Sequence, residues 1–196
     1  MLIHDALRRY KLEGIGLAGI SVTEIGLNVG FGCDSFELAV YIGNQPNMQE
    51  YHHLDTLQPL ASGEVHAIGQ ACGNGWRKVF NVYAKLLFAL DLQHFSFCKG
   101  YNTWQQYRDA LLLQKDSKTA LLFSAPIFQQ DNTLHIIMGR TYAKQLLASG
   151  QLQAQLHWLD EEFAIDTEQR LIVCPYFDYR QLSNVKIERL AAMLRG

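Results

Sequence analysis

The sequence predicts an α/β domain, a mostly parallel central sheet covered by helices on both faces. Three observations predict it. Short apolar, β-branched runs such as Phe36–Ile42, Leu134–Met138 and Leu171–Cys174 read as buried strands, and amphipathic stretches such as Trp76–Leu90 separate them. Strands that alternate with helices favour parallel pairing, because parallel neighbours need a crossover rather than a hairpin. At 196 residues the chain is long enough for one sizeable core, so a single domain over residues 1–196 is expected. With 48% hydrophobic and 18% charged residues it has the material of a folded rather than a disordered chain.

Taken in order, Leu2, Ile3, Ala6, Leu7 and Tyr10 fall at helical spacing and predict a short first helix over Leu2–Leu12, stopped by glycines at 14, 16 and 19. Glycines punctuate Gly26–Gly32 again before the strand Phe36–Ile42, which ends at Gly43-Asn44-Gln45-Pro46-Asn47. Met48–Gly73 carries Asp55, Pro59, Gly63 and Gly69 with little apolar periodicity, and reads as a long loop with room for one helical turn. Trp76, Val79, Phe80, Tyr83, Leu86, Leu87 and Leu90 then recur at three- and four-residue steps, the strongest amphipathic helix in the chain.

Phe95–Cys98 is a short strand candidate. Thr103–Leu113 is a helix with Thr103 or Asn102 as its N-cap. Thr119–Ser124 and Leu134–Met138 read as strands, the second running through Gly139 into a helix over Tyr142–Ala148 that Gly150 ends. Leu156–Leu159, Phe163–Ile165 and Leu171–Cys174 are further strands, and Asn184–Leu194 is the last helix, capped by Ser183 or Asn184.

The formal charge of −2 argues against a dominant electrostatic grip on nucleic acid, which comes from Lys and Arg neutralising phosphates. Two basic groups remain, Arg77, Lys78 and Lys85 on one helix and Arg180, Lys186, Arg189 and Arg195 near the C-terminus. The bland reading of both is a solvated helix face. Cys33, Cys72, Cys98 and Cys174 show no paired spacing, so neither a zinc knuckle nor a redox dithiol is indicated. His52-His53 lacks further ligands at informative spacing, and no metal or cofactor is implied. The chain has no phosphate loop, G-x-G-x-x-G, H-E-x-x-H or G-x-S-x-G. No apolar run reaches the roughly 18 residues of a membrane span and no signal-peptide pattern is present, so a cytoplasmic protein without membrane partners is expected.

Ligands of open α/β sheets bind outside the carboxyl ends of the strands. That rule selects Gly43–Asn47, the helix start Gly73-Asn74-Gly75-Trp76-Arg77, the Lys99–Asn102 stretch, and Pro175-Tyr176-Phe177-Asp178-Tyr179-Arg180. The last combines a carboxylate, a guanidinium and aromatic faces on one loop. Trp76 could stack on a planar ligand, although its spacing with Val79, Phe80 and Tyr83 suits a core position better.

Four segments carry a resemblance: Ala39-Val40-Tyr41-Ile42-Gly43-Asn44-Gln45-Pro46-Asn47, Gly73 through Leu90, His135-Ile136-Ile137-Met138-Gly139-Arg140-Thr141-Tyr142-Ala143, and Cys174-Pro175-Tyr176. In this order they resemble the uracil-DNA glycosylase superfamily, with its strand ending in a turn of the Gly-x-Asn-Pro type, its strand-glycine-helix segment and its final strand entering a His-Pro-Ser type loop. The resemblance implies a three-layer α/β/α sandwich and a ligand that is a nucleobase, a nucleobase-like small molecule or nucleic acid. The departures are chemical. Family members position or activate water with Asp or Asn just before the proline; Gln45 stands there, and a neutral amide can orient water but is no general base at pH 7. The family histidine that stabilises the leaving base is matched by Cys174, a poorer donor, which leaves Asp178 and Arg180 as substitutes.

The expectation is therefore glycosidic-bond hydrolysis or simple binding, with Gln45 and Asp178 as catalytic candidates and Gly43, Asn44, Pro46, Asn47, Trp76, Asn102, Tyr176 and Arg180 as binding residues. The alternative is a non-catalytic interaction module that uses Tyr176, Phe177 and Tyr179 to hold a protein partner or a second copy of itself. A Cys174 nucleophile ranks last, since no histidine is placed near it by sequence order.

Overall fold

The computed structural model describes residues 28–90, 94–128 and 132–196. The first predicted helix, Leu2–Leu12, and the glycines that follow it lie outside the described residues. Eight strands form one sheet: β1 (Gly30–Gly32), β2 (Leu38–Tyr41), β3 (Leu57–Gln58), β4 (Thr119–Leu122), β5 (Leu134–Met138), β6 (His157–Trp158), β7 (Ala164–Asp166) and β8 (Leu171–Cys174). Their spatial order is β3-β1-β4-β2-β5-β8-β7-β6. Among the described residues five α-helices accompany them: α1 (Glu64–Ala71), α2 (Asn74–Ala89), α3 (Trp104–Ala110), α4 (Arg140–Ala148) and α5 (Asn184–Arg195).

The four central strands, β4-β2-β5-β8, are parallel, as the strand-helix alternation implies. The flanks are not, and the sheet as a whole is mixed. β7 runs antiparallel to β8, and β6 to β7, because the turns between them are too short for a parallel crossover. β1 runs antiparallel to β4 and parallel to the short edge strand β3.

Gly30 and Gly32 make β1 possible. Both have positive φ, at 157° and 140°, and a β-carbon on either would collide with the β4 backbone, at the carbonyls of Leu121 and Thr119. What reads in sequence as glycine punctuation is thus a strand that can approach its neighbour only without side chains.

The central strands are buried on both sides, which is why they read as continuous apolar runs. Leu38, Val40, Ile42, Leu121, Ile136, Met138, Ile172 and Cys174 belong to one core cluster, with Val79, Phe80, Tyr83, Leu86 and Leu87 of α2 and Ile187, Leu190 and Leu194 of α5. The alternate residues Ala39, Tyr41, Ala120, Leu122, Ile137, Leu171 and Val173 belong to a second cluster with Ala143 and Leu146 of α4. Each large aliphatic or aromatic side chain buried in this way contributes about 1.5–3 kcal/mol. The hydroxyl of Tyr83, fully buried, donates to the carbonyl of Ala120 at 2.9 Å and so fastens α2 to β4 without an orphaned polar group.

Two sequence expectations fail. The stretch Met48–Gly73 is not a plain loop: it holds a 3-10 turn at Gln49–Tyr51, strand β3 and the eight-residue helix α1. Only Val65 and Ile68 of α1 are buried, too few for a periodicity to register, and the helix entry is held by Glu64, whose carboxylate accepts from the Ala61 N–H and from the Tyr51 hydroxyl. Phe95–Cys98 is a set of turns rather than a strand, with Phe97 and Cys98 buried against the helical core cluster. Thr103 does cap α3, accepting from the Gln106 N–H at 3.2 Å. Ser183 occupies the cap position of α5 without a side-chain capping bond. Among the described residues no helix is long and apolar enough to cross a membrane.

Candidate functional site

β2 leads through α1 and α2 to β4 on one side of it, while β5 leads through α4 to β8 on the other. The loops leaving β2 and β5 therefore diverge, and a crevice opens between them at the carboxyl ends of the strands. A cavity of about 690 Å³ occupies this position, within the size range of small-molecule sites. Gly43 and Asn44 line it from the β2 end, Gly139 to Tyr142 from the β5–α4 junction, and Pro175 and Tyr176 from the β8 end. Gln145, Glu161, Glu162 and Gln181 complete its wall.

Gly43 is required by proximity: a β-carbon there would sit 2.9 Å from the Tyr142 ring. Across the crevice the Tyr176 hydroxyl donates to Asn44 Oδ1 at 3.4 Å, joining the loops that follow β2 and β8. Gly139 has φ of 101°, and its N–H donates to the Cys174 carbonyl at 2.8 Å, so β5 stays paired with β8 until α4 begins. Burial raises the phenols of Tyr142 and Tyr176, so both stay protonated near neutrality, and the Tyr176 proton is the one given to Asn44.

The cavity wall carries charge of both signs, with Arg140 beside Glu161 and Glu162. Arg140 donates to the Glu161 carbonyl at 2.8 Å, and Glu162 pairs with Lys186 at 2.7 Å. A wall of carboxamides and tyrosines with one cation and two carboxylates suits a neutral polar ligand better than a polyanion.

Of the sequence candidates, Gly43, Asn44 and Tyr176 meet in this cavity. Gln45 and Asn47 are exposed beside it and do not line it; Asn47 Oδ1 accepts from His52 Nε2 at 3.1 Å. Pro46 is buried, turning the chain so that its carbonyl accepts from the Met48 N–H at 2.9 Å. Trp76 lies in the core against Phe80 and Phe123 rather than at a ligand face. Asn102 is exposed just before α3, its N–H donating to Gln106 Oε1. Cys174 is fully buried and desolvation pushes its thiol up, the reverse of an activated nucleophile.

Asp178 and Arg180 belong to a second concavity, of about 750 Å³, formed with Asn74, Gly75, Arg77, Lys78 and Asn81 of α2 and with Tyr179. Asp178 accepts from Lys78 Nζ at 2.8 Å, from Arg180 Nη2 at 3.1 Å and from the Arg180 backbone N–H at 3.0 Å. Arg180 first, and then Lys78, hold its carboxyl well below the usual carboxylate range. A carboxylate so stabilised is a weak base, which lends no support to a general-base role.

Sequence reasoning missed Arg140, Thr141, Tyr142, Gln145, Glu161, Glu162 and Gln181. The signal for the first three was present, since the carboxyl-end rule applies to β5 as much as to β2; Glu161 and Glu162 lie in the β6–β7 turn, which only the sheet order brings alongside. Among the described residues no group of three or more His, Cys, Asp or Glu is placed to hold a metal ion.

Residues 29–195 match the model of a family of unknown function, DUF6942, and the chain belongs to that family. No curated protein and no solved structure matches it.

Proposed function

We propose that this protein binds a neutral planar ligand of the nucleobase or nucleoside class in the crevice at the carboxyl ends of β2, β5 and β8. The observation that carries the reading is the convergence of Asn44, Tyr142, Tyr176 and Gln145 on one cavity at the diverging strands. Carboxamides can pair with the donor-acceptor edge of a base, and tyrosine rings offer stacking faces. Helices drawn from both core clusters flank the sheet, in keeping with the three-layer α/β/α sandwich that a glycosylase-like fold implies.

Glycosidic-bond hydrolysis gains no support from the same geometry. Gln45 lies outside the cavity and Asp178 is engaged by two cations, so neither catalytic candidate faces the crevice. The interaction-module alternative also weakens, because the aromatic loop does not form a patch: Phe177 is fully buried, Tyr176 half-buried, and Tyr179 stands exposed by itself.

The test is titration calorimetry of uracil, adenine and their nucleosides into the full chain, paired with an assay for base released from uracil-containing single strands. Binding weakened about tenfold by Asn44→Ala, a loss of about 1.4 kcal/mol, is the expected result, with no base released. Absence of binding by every base and nucleoside would overturn the reading.

A further inference from the structure

The second concavity has a different chemistry. Its wall is rich in donors: Arg77, Lys78 and Arg180 bring three cations against the single carboxylate of Asp178. Asp178 is already saturated, since Lys78 and Arg180 both bind it. Asn81 Oδ1 is taken by the Arg108 guanidinium, so the side-chain groups it has left are its amide N–H donors. Arg77 is exposed and makes no ion pair among the described residues. Gly75 leaves the backbone beside it open, with no atom from beyond its chain neighbours and its own helical backbone within 4 Å of where a β-carbon would stand. Tyr179, 58% exposed, lies under Lys78 Nζ at 4.8 Å from its ring.

From these features we infer that the Arg77–Lys78–Arg180 concavity is a binding site for a phosphate group. A surface that offers two guanidiniums, an ammonium and an amide around one carboxylate already paired twice selects an anion with several oxygens. Asp178 is the positioning residue: it fixes Lys78 of α2 against Arg180 of the β8–α5 loop, 100 residues apart or more in the chain, so that their charges converge instead of repelling. The site is separate from the nucleobase crevice, and the Pro175–Gln181 stretch forms part of both walls.

A phosphate could belong to a small phosphorylated molecule or to a nucleic acid backbone, and two arms separate these sources. Pyrophosphate is titrated into the full chain by calorimetry, and a fluorescent oligothymidylate of about 15 nucleotides is followed by anisotropy from about 50 to about 200 mM salt. Binding in either arm that Arg77→Ala weakens about fivefold or more, and that Lys115→Ala, at an exposed residue outside the concavity, leaves unchanged, is the expected result. For the oligonucleotide, Arg77→Ala should also flatten the slope of log K against log salt by about 0.7. Pyrophosphate binding without oligonucleotide binding assigns a small phosphorylated ligand; salt-sensitive oligonucleotide binding assigns the backbone. Failure of both, or equal losses in Arg77→Ala and Lys115→Ala, overturns the inference. Because Arg77 is exposed and makes no ion pair among the described residues, Arg77→Ala should keep the fold, which a melting curve checks. Asn44→Ala retains phosphate binding, so failure of the crevice reading is distinguishable from failure here.

Discussion

The ring of Tyr142 lies so close to Gly43 that a β-carbon on the glycine would stand 2.9 Å from Tyr142 Cδ2. The contact joins the loop after β2 to the first turn of α4 and sets the width of the crevice between them. Gly43→Ala must push the ring aside, at a cost of about 1–3 kcal/mol if the surroundings resist. The backbone is not the cause, for Gly43 is not among the positive-φ glycines. Thermal unfolding should therefore show a loss in Gly43→Ala that Tyr142→Ala, added to it, largely removes, and base or nucleoside binding should weaken in the single variant.

Asn44 and Gln45 are neighbours with opposite expectations. Asn44 lines the cavity and Gln45 is exposed outside it. Calorimetry should find ligand binding weakened by Asn44→Ala and unchanged by Gln45→Ala; the reverse ranking would return the site to the turn that the glycosylase resemblance emphasises.

Asp178 ties α2 to the β8–α5 loop, and Asp178→Asn leaves the half-buried Lys78 without its counter-charge. A loss of about 2 kcal/mol near neutral pH is expected by urea unfolding. The folded-state pKa is depressed, so this stabilisation is fully present above the unfolded value of about 4 and is withdrawn as pH falls below it. Asp178→Asn should accordingly flatten the acid limb of the stability curve.

His135 has a separate window. It is buried on β5, with Nδ1 2.8 Å from the hydroxyl of Tyr41 on the neighbouring β2 and Phe128 packed on it edge to face. Burial first, and Arg170 second, push its pKa down to about 4. The unfolded imidazole, near 6.5, takes up a proton before the folded one does. Stability is therefore whole above about pH 6.5 and declines as pH falls towards about 4, by on the order of 3 kcal/mol. Unfolding measured from pH 7 to pH 4 should show this slope, and His135→Gln should remove it. A His135 resonance titrating near 6.5 in the folded protein would contradict the assignment.

Much of the scaffold was legible along the chain. Trp76, Val79, Phe80, Tyr83, Leu86 and Leu87 predicted α2 because one face of a helix meets the core every three or four residues, and Leu134–Met138 and Leu171–Cys174 predicted β5 and β8 because strands buried on both faces have no polar side. The same local logic failed where burial is sparse or supplied from afar. α1 buries two side chains only, and β1 is a strand by virtue of two glycines that let β4 come close.

The site divides in the same way. Sequence by itself determined which residues could turn, stack or carry charge after a strand, and it picked Gly43, Asn44, Tyr176, Asp178 and Arg180 on those grounds. Only the tertiary structure decided that the first three share a crevice with Tyr142 and Gln145, that Trp76 faces inward, and that Asp178 joins two basic groups the chain keeps far apart. Periodicity reports which side of a segment is buried; which charge meets which is set by strand order and the crossing of loops, and neither is encoded in any one segment.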